Sequence, residues 1–309
     1  MRSPEKKKLG IHSIGEFVLA VPDLTKAEHF YNSFGLALSG ENNHIGVRVK
    51  DGDHRWASIV ERERKFLHHV TFYCFEEDLA GFKTHLESSG IRLLDPPKEF
   101  GSGGLWFRGH DGILMEIRIG PKTSPDEMSK ITPSPYETGV RNAPYRRLAG
   151  KVQIQRLSHI LLFTTSVNAA IQFYTNVLGL KLSDRAGEIL AFFHGVHGSD
   201  HHMVAFAKSD QPGFHHASWI VPSVDQIGVG AVSMAERGYR KSWGTGRHVL
   251  GSNYFHYIQD PWGSWCEYAC GIDYIPESMD WISLDHGVDD SFYLWGPDVP
   301  PEFVVNVER

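Results

Sequence analysis

An internal repeat constrains this chain more than any other feature, because a duplicated half must fold the same way twice. The run from Ile14 to Ala20, then Pro22 and Asp23, then a helical stretch ending at Phe30, Tyr31 and Gly35, forms the first copy. It is answered by the run from Leu157 to Phe163, then Thr165 and Ser166, then a stretch ending at Phe173, Tyr174 and Gly179. Further on, His68 and His69 answer His215 and His216, and Gly112 with Glu116 answers Gly263 with Glu267 at the same spacing. Each copy opens with a strand-like run, a polar cap, an amphipathic helix and a glycine stop. Ser166 suits an N-cap; Ala170, Ile171, Tyr174, Val177 and Leu178 make one helical stripe; Gly179 sits where a left-handed residue is wanted. A second helix is expected in each half, over 78–88 and 224–237. The expected fold is therefore α+β: two tandem domains, each a pair of βαβββ modules forming a curved, cup-like mixed sheet. The domains should run 1–120 and 152–275. Between them the Pro-rich stretch 121–151, with Pro121, Pro125, Pro133, Pro135 and Pro144, reads as a linker or crossing segment. The tail 276–309, with Trp281, Phe292, Tyr293 and Trp295, should pack on the domains.

Composition narrows the function classes. With 31 basic and 37 acidic residues the net charge is −6, and the signs are interspersed, so no basic stripe for nucleic acid is present. Lys6–Lys8 reads as a short solvated start. No apolar run approaches the roughly 20 residues of a membrane span, and no signal peptide is visible. Three cysteines without framework spacing suit a reducing cytoplasm. The outlier is histidine, with 18 residues, and imidazole is a common metal ligand.

Strand alternation organises those histidines. From Arg156 onward, Leu157, His159 and Leu161 should share a face. After Phe214, alternation lets only one of His215 and His216 enter the cup. Ala217, Trp219 and Val221 look like packing, so His215 goes with them and His216 points inward. Glu267 points away from Cys266 and Tyr268. Singly, such residues are more often packed or solvated than ligating. Two imidazoles and one carboxylate from separate strands can nevertheless cap one face of an octahedral cation, as in non-heme Fe(II) oxygenases.

The stretch carrying His248, Tyr257, Asp260, Pro261, Gly263 and Glu267 resembles the signature of type I extradiol ring-cleavage dioxygenases, in the vicinal oxygen chelate superfamily. That signature has a Tyr nine positions after a His, an Asp-Pro-x-Gly turn, and a Glu ten after the Tyr. The resemblance covers nearly the whole chain. It implies His159, His216 and Glu267 as ligands of Fe(II), or Mn(II). It implies His202 as the acid/base, with His201 the weaker rival, and His248 and Tyr257 beside the substrate's hydroxyl oxygens. It also implies a catechol-type substrate and O2 as co-substrate; a homo-oligomer is expected, and the charge and hydropathy patterns above point to neither nucleic-acid nor membrane partners. Leu161, Phe193 and Trp281 are the expected pocket walls. His194 and His197 read as imidazoles on a solvated loop. At the matching positions the first half has Glu16, His69 and Glu116, without counterparts of His248 and Tyr257, and is expected to be a decayed copy lacking catalytic metal, the competing reading being a second, carboxylate-rich metal site. The competing functions are a non-redox isomerase or glutathione transferase of the same superfamily, and a ligand-sequestering protein.

Overall fold

The computed structural model describes residues 9–41, 43–133 and 136–308, so Lys6–Lys8 and Pro135 lie outside it. The first half holds strands β1 (Ser13–Val21), β2 (Ala37–Glu41), β3 (His44–Arg48), β4 (Ala57–Glu61), β5 (Phe66–Cys74), β6 (Leu105–Arg108) and β7 (Leu114–Ile119), with helices α1 (Leu24–Phe34) and α2 (Leu79–Ser88). The second half holds β8 (Arg156–Thr164), β9 (Lys181–Ala186), β10 (Leu190–His194), β11 (Ser199–Asp200), β12 (Val204–Lys208), β13 (Gly213–Ile220), β14 (Ser242–Arg247), β15 (Tyr254–Gln259), β16 (Trp265–Cys270) and β17 (Tyr274–Ile275), with α3 (Val167–Asn176) and α4 (Val224–Glu236).

The sheet order is β2-β3-β4-β1-β5-β7-β6 in the first half and β14-β15-β16-β13-β8-β12-β10-β9 in the second. In both, the opening strands of the two modules pair antiparallel, β1 with β5 and β8 with β13. Each opening strand also pairs in parallel with the last strand of its own module. Such parallel pairs require a crossover connection, and a helix is part of each one. The second module of the first half is the worn copy, its extra strand reduced to a bridge between Leu94 and Trp106.

Local chemistry sets the helix ends. Asp23, Ser166 and Ser223 each accept a backbone N–H from three residues on, which satisfies one orphan donor of the first turn. Gly179, at φ +69°, follows α3, and a Cβ there would meet the Leu9 carbonyl at 2.2 Å. Ile171 and Val177 are only partly buried, so Val167, Ala170 and Tyr174 carry most of the α3 contact.

One apolar core runs through both halves on the helix-bearing sides of the sheets. Phe34 stacks on Tyr268 at 3.9 Å, whose hydroxyl donates to the Phe34 carbonyl at 2.6 Å, and Phe17 stacks on Phe214 at 5.3 Å. The opposite, concave faces carry small separate clusters. These faces are the cups.

Strict alternation fails at four matched places. The β8–β13 pairing slips at Ser158 and at His215, and β1–β5 slips at Gly15 and at His68. A β-bulge of this kind inserts one residue and re-aims its neighbours. Leu157 therefore joins the core with Ile160 and Leu162, while Leu161 joins a cup cluster. Leu157 does not share a face with His159 and Leu161. Likewise Phe214, Ala217 and Trp219 lie in the core, whereas His215 packs on Phe303 in the cup beside His216. The expectation that His215 faces the packing side is overturned by the bulge. His194 and His197 are also not solvated: His194 ends β10 and bonds Ser183 Oγ at 2.8 Å, and the His197 side chain is 8% exposed.

Candidate metal centre and its pocket

Three adjacent strands, β16, β13 and β8, bring Glu267, His216 and His159 to one point on the concave face. His159 Nε2 and His216 Nε2 are 3.3 Å apart, and Glu267 Oε2 lies 3.3 and 3.7 Å from them. All three residues are buried, and Glu267 Oε2 has no hydrogen-bond partner. Those distances are ion pairs only if an imidazole is charged. Burial instead pushes the His216 imidazole well below its ordinary pKa, which favours the neutral ring.

The hydrogen bonds behind each ring say where its proton is. His215 Nε2 lies 2.6 Å from the Phe303 carbonyl, which can only accept. His215 Nδ1 is then bare and accepts from His216 Nδ1 at 2.6 Å. His216 Nε2 is left with its lone pair aimed at Glu267. His159 Nδ1 faces Ser158 Oγ at 3.3 Å; Ser158 Oγ donates to Asp200 at 2.7 Å; and Arg156 clamps Asp200 at 2.6 and 2.9 Å. His159 Nε2 is bare in turn. Two lone pairs and an unpartnered buried carboxylate oxygen converge on one point. Without a cation that arrangement leaves the carboxylate unsatisfied at a cost of several kcal/mol. Three perpendicular donors about 2.1 Å from one cation would stand about 3.0 Å apart, so the observed triangle fits such an ion. Asn253 Nδ2 holds the other oxygen, Glu267 Oε1, at 3.0 Å.

The resemblance-implied helpers surround this triangle. His202 lies with its ring 4.0 Å from that of His159. His248 Nδ1 donates to the Phe292 carbonyl, so its Nε2 accepts from the Tyr257 hydroxyl at 3.0 Å. Burial raises the Tyr257 hydroxyl well above its usual pKa, as does the Glu267 charge, so it stays a donor. A small cavity of about 60 Å³ opens here. It is lined by His159, His202, His216, His248, Asn253 and Tyr257, by the aliphatic Leu161, Leu190 and Leu250, by Phe192 and Trp243, and by Ser291, Phe292 and Phe303 from the tail. None of these is a lysine or an arginine.

Two expected wall residues are elsewhere. Phe193 is fully buried in the core against Tyr174, because β10 turns Leu190 and Phe192 to the cup and Ala191 and Phe193 to the core. Trp281 packs behind His201, its indole N–H donating to the Ser183 carbonyl at 2.9 Å. Leu161 does line the cavity. Asn253, Ser291 and Phe303 were missed by sequence reasoning: Asn253 carries no ligand signal, and the tail, though expected to lend an aromatic wall, has no repeat partner to say which residues do so. The carboxylate behind Ser158 was also invisible, being 42 positions away.

The first half lacks this convergence. Arg55 and Ser58 satisfy Glu16 at 2.9 and 2.5 Å, Thr71 donates to Glu116 at 2.7 Å, and Ser102 also donates to Glu116. Phe100 lies over His69 at 4.8 Å. Among the described residues only His159, His216 and Glu267 form a group able to hold an ion.

Residues 13–117 and 156–268 each match the model of the Glyoxalase/Bleomycin resistance protein/Dioxygenase superfamily. Over 298 residues the chain is 47% identical to metapyrocatechase 2 of Cupriavidus necator, covering 96% of this chain and 93% of that one. It is 24% identical to the manganese-dependent 2,3-dihydroxybiphenyl 1,2-dioxygenase of Geobacillus genomosp. 3, covering 94% and 96%. Among solved structures, the Mn(II)-bound glyoxalase of Novosphingobium aromaticivorans shares the fold, with a TM-score of 0.78 at 21% identity over 96% and 95% of the two chains.

Proposed function

The chain belongs to the Glyoxalase/Bleomycin resistance protein/Dioxygenase superfamily, and from that premise we propose that it is an extradiol dioxygenase, cleaving a catechol-type ring beside its two hydroxyls with O2. The observation that carries this reading is the unpartnered, buried Glu267 Oε2 facing two imidazole lone pairs whose rings line a cavity. His159, His216 and Glu267 would hold one Fe(II) or Mn(II). When bound, that cation favours ionisation of a chelating diol and lets ring electrons reach O2. The chain's own groups do the rest. His202 takes a hydroxyl proton from the arriving diol and later returns it to oxygen, work suited to an imidazole. Tyr257, backed by His248, donates to a diol oxygen as charge develops there. The ring carbon–carbon bond next to the diol breaks, and both atoms of O2 enter a ring-opened semialdehyde.

The wall limits the substrate. A diol bearing a carboxylate would bury that charge among Leu161, Leu190, Phe192 and Leu250 with no cation to meet it. A neutral catechol with a small apolar substituent fits. Among the described residues no helix is long and apolar enough to cross a membrane. We place the reaction in a reducing cytoplasm, where three buried thiols stay unpaired, and expect a homo-oligomer.

The test is oxygen uptake by protein loaded anaerobically with Fe(II). Catechol and methylcatechols should consume one O2 per diol and yield a ring-opened product, and 3,4-dihydroxyphenylacetate should show kcat/KM lower by about 100-fold or more. No uptake with any diol, alongside isomerisation or glutathione transfer, would move the chain to a non-redox branch of its superfamily.

A further inference from the structure

The His202 ring does not stand alone behind the cavity. Its Nδ1 is 3.0 Å from His201 Nδ1, and two ring nitrogens at that distance share one proton. The His201 ring is fixed from its other side, with Nε2 2.9 Å from Asp184 Oδ2. Asp184 in turn accepts the Leu284 backbone N–H at 2.9 Å and His286 Nε2 at 3.0 Å through Oδ1. Burial opposes its ionisation, yet the bonds from His201, Leu284 and His286 hold its pKa below the usual carboxylate range. Further contacts hold the assembly in place. His201 N donates to the Asp273 carbonyl at 2.7 Å, Ser183 Oγ donates to the His201 carbonyl at 2.5 Å, and the Trp281 ring packs edge-on at 5.5 Å.

We propose that Asp184 and His201 are positioning residues that fix His202 in the tautomer with its proton on Nδ1 and its lone pair on Nε2. The logic is that of the His215–His216 pair, which likewise meets Nδ1 to Nδ1. Asp184 keeps a proton on His201 Nε2. With one proton on each ring, His201 then presents a bare Nδ1 and His202 donates to it. The ring nitrogen left for the cavity is a base from the start, able to take a diol proton onto Nε2 without first losing one. One difference separates the two pairs. The metal-side pair ends on a neutral carbonyl, Phe303, and the acid/base-side pair ends on a carboxylate, Asp184. This inference rests on the acid/base role given to His202 above.

Two readouts test it, one of them independent of turnover. In full-length protein carrying Zn(II) and 15N-labelled histidine, His202 is identified by the loss of its signals in His202→Asn. Long-range 1H–15N spectra should show its proton on Nδ1. In Asp184→Asn the amide oxygen stays with Leu284 and His286, and the amide nitrogen faces His201, reversing both rings so that His202 carries its proton on Nε2. With Fe(II), that variant should bind metal and diol as the parent does while kcat falls about 10²–10⁴-fold, and Asp184→Glu should recover part of the loss. A parent His202 already protonated on Nε2, as an imidazolium at His201 would impose, overturns the proposal, and so does an unchanged kcat in Asp184→Asn. Absence of diol turnover in the parent counts against the function instead, while the tautomer spectrum still decides this point.

Discussion

His215 touches none of the three converging donor atoms, yet it settles which nitrogen of His216 is free. The bulge brings both rings into the cup, and the Phe303 carbonyl dictates the proton order through them. Replacing His215 by Leu removes the acceptor for His216 Nδ1–H and lets the ring turn. Metal affinity should fall about 10–100-fold, as for other groups that orient a ligand, and His215→Gln should restore part of it. Competition with a chelator measures this; equal affinity in His215→Leu would show that the pair is incidental. Alternation alone makes His215 look dispensable, and here the sequence was misleading for a physical reason. A bulge costs one residue and leaves no compositional mark, so Leu157 and His215 look like members of the wrong faces. The residue types survive that error: His159, His216 and Glu267 are readable because a charged or imidazole side chain inside an apolar strand stands out, whereas Phe192 and Phe193 differ only in register.

At the scale of elements, the tail is the part least legible beforehand. It has no repeat partner, and its role depends on contacts far away in sequence. Lys65 of the first half meets Glu308 at 2.6 Å, both side chains nearly buried, and Glu308 also accepts the Leu67 and Phe214 N–H groups at 3.0 and 3.1 Å. This clasp holds the segment that carries Phe303 over the cavity and supplies the carbonyl for His215. Glu308→Gln leaves the Lys65 ammonium buried without its counter-charge. Breaking such a pair costs about 3–5 kcal/mol. The variant should melt several degrees lower, should be cut by protease in the tail, and should show a raised KM for catechol. Melting and proteolysis like the parent's would mean that other contacts, such as the Trp243 indole donating to the Pro297 carbonyl at 2.9 Å, hold the tail by themselves.

Across the whole molecule, two cups share one repeated plan, and among the described residues only one of them holds a group able to bind an ion. The duplication was legible because cap, glycine and histidine anchors recur in order; the connection of modules follows from the helices between strands. What separates the halves is finer. Glu16 and Glu116 kept their carboxylates, but arginine, serine and threonine donors now satisfy them, and no spacing rule reveals that Arg55 or Ser102 would arrive there. Glu267 Oε2 has no such donor. The most direct test of a single working centre is anomalous X-ray scattering at the iron edge from crystals of the Fe(II)-loaded protein. One peak per chain should appear, within bonding distance of His159 Nε2, His216 Nε2 and Glu267 Oε2. An empty second half, or an equal peak among Glu16, His69 and Glu116, would contradict it.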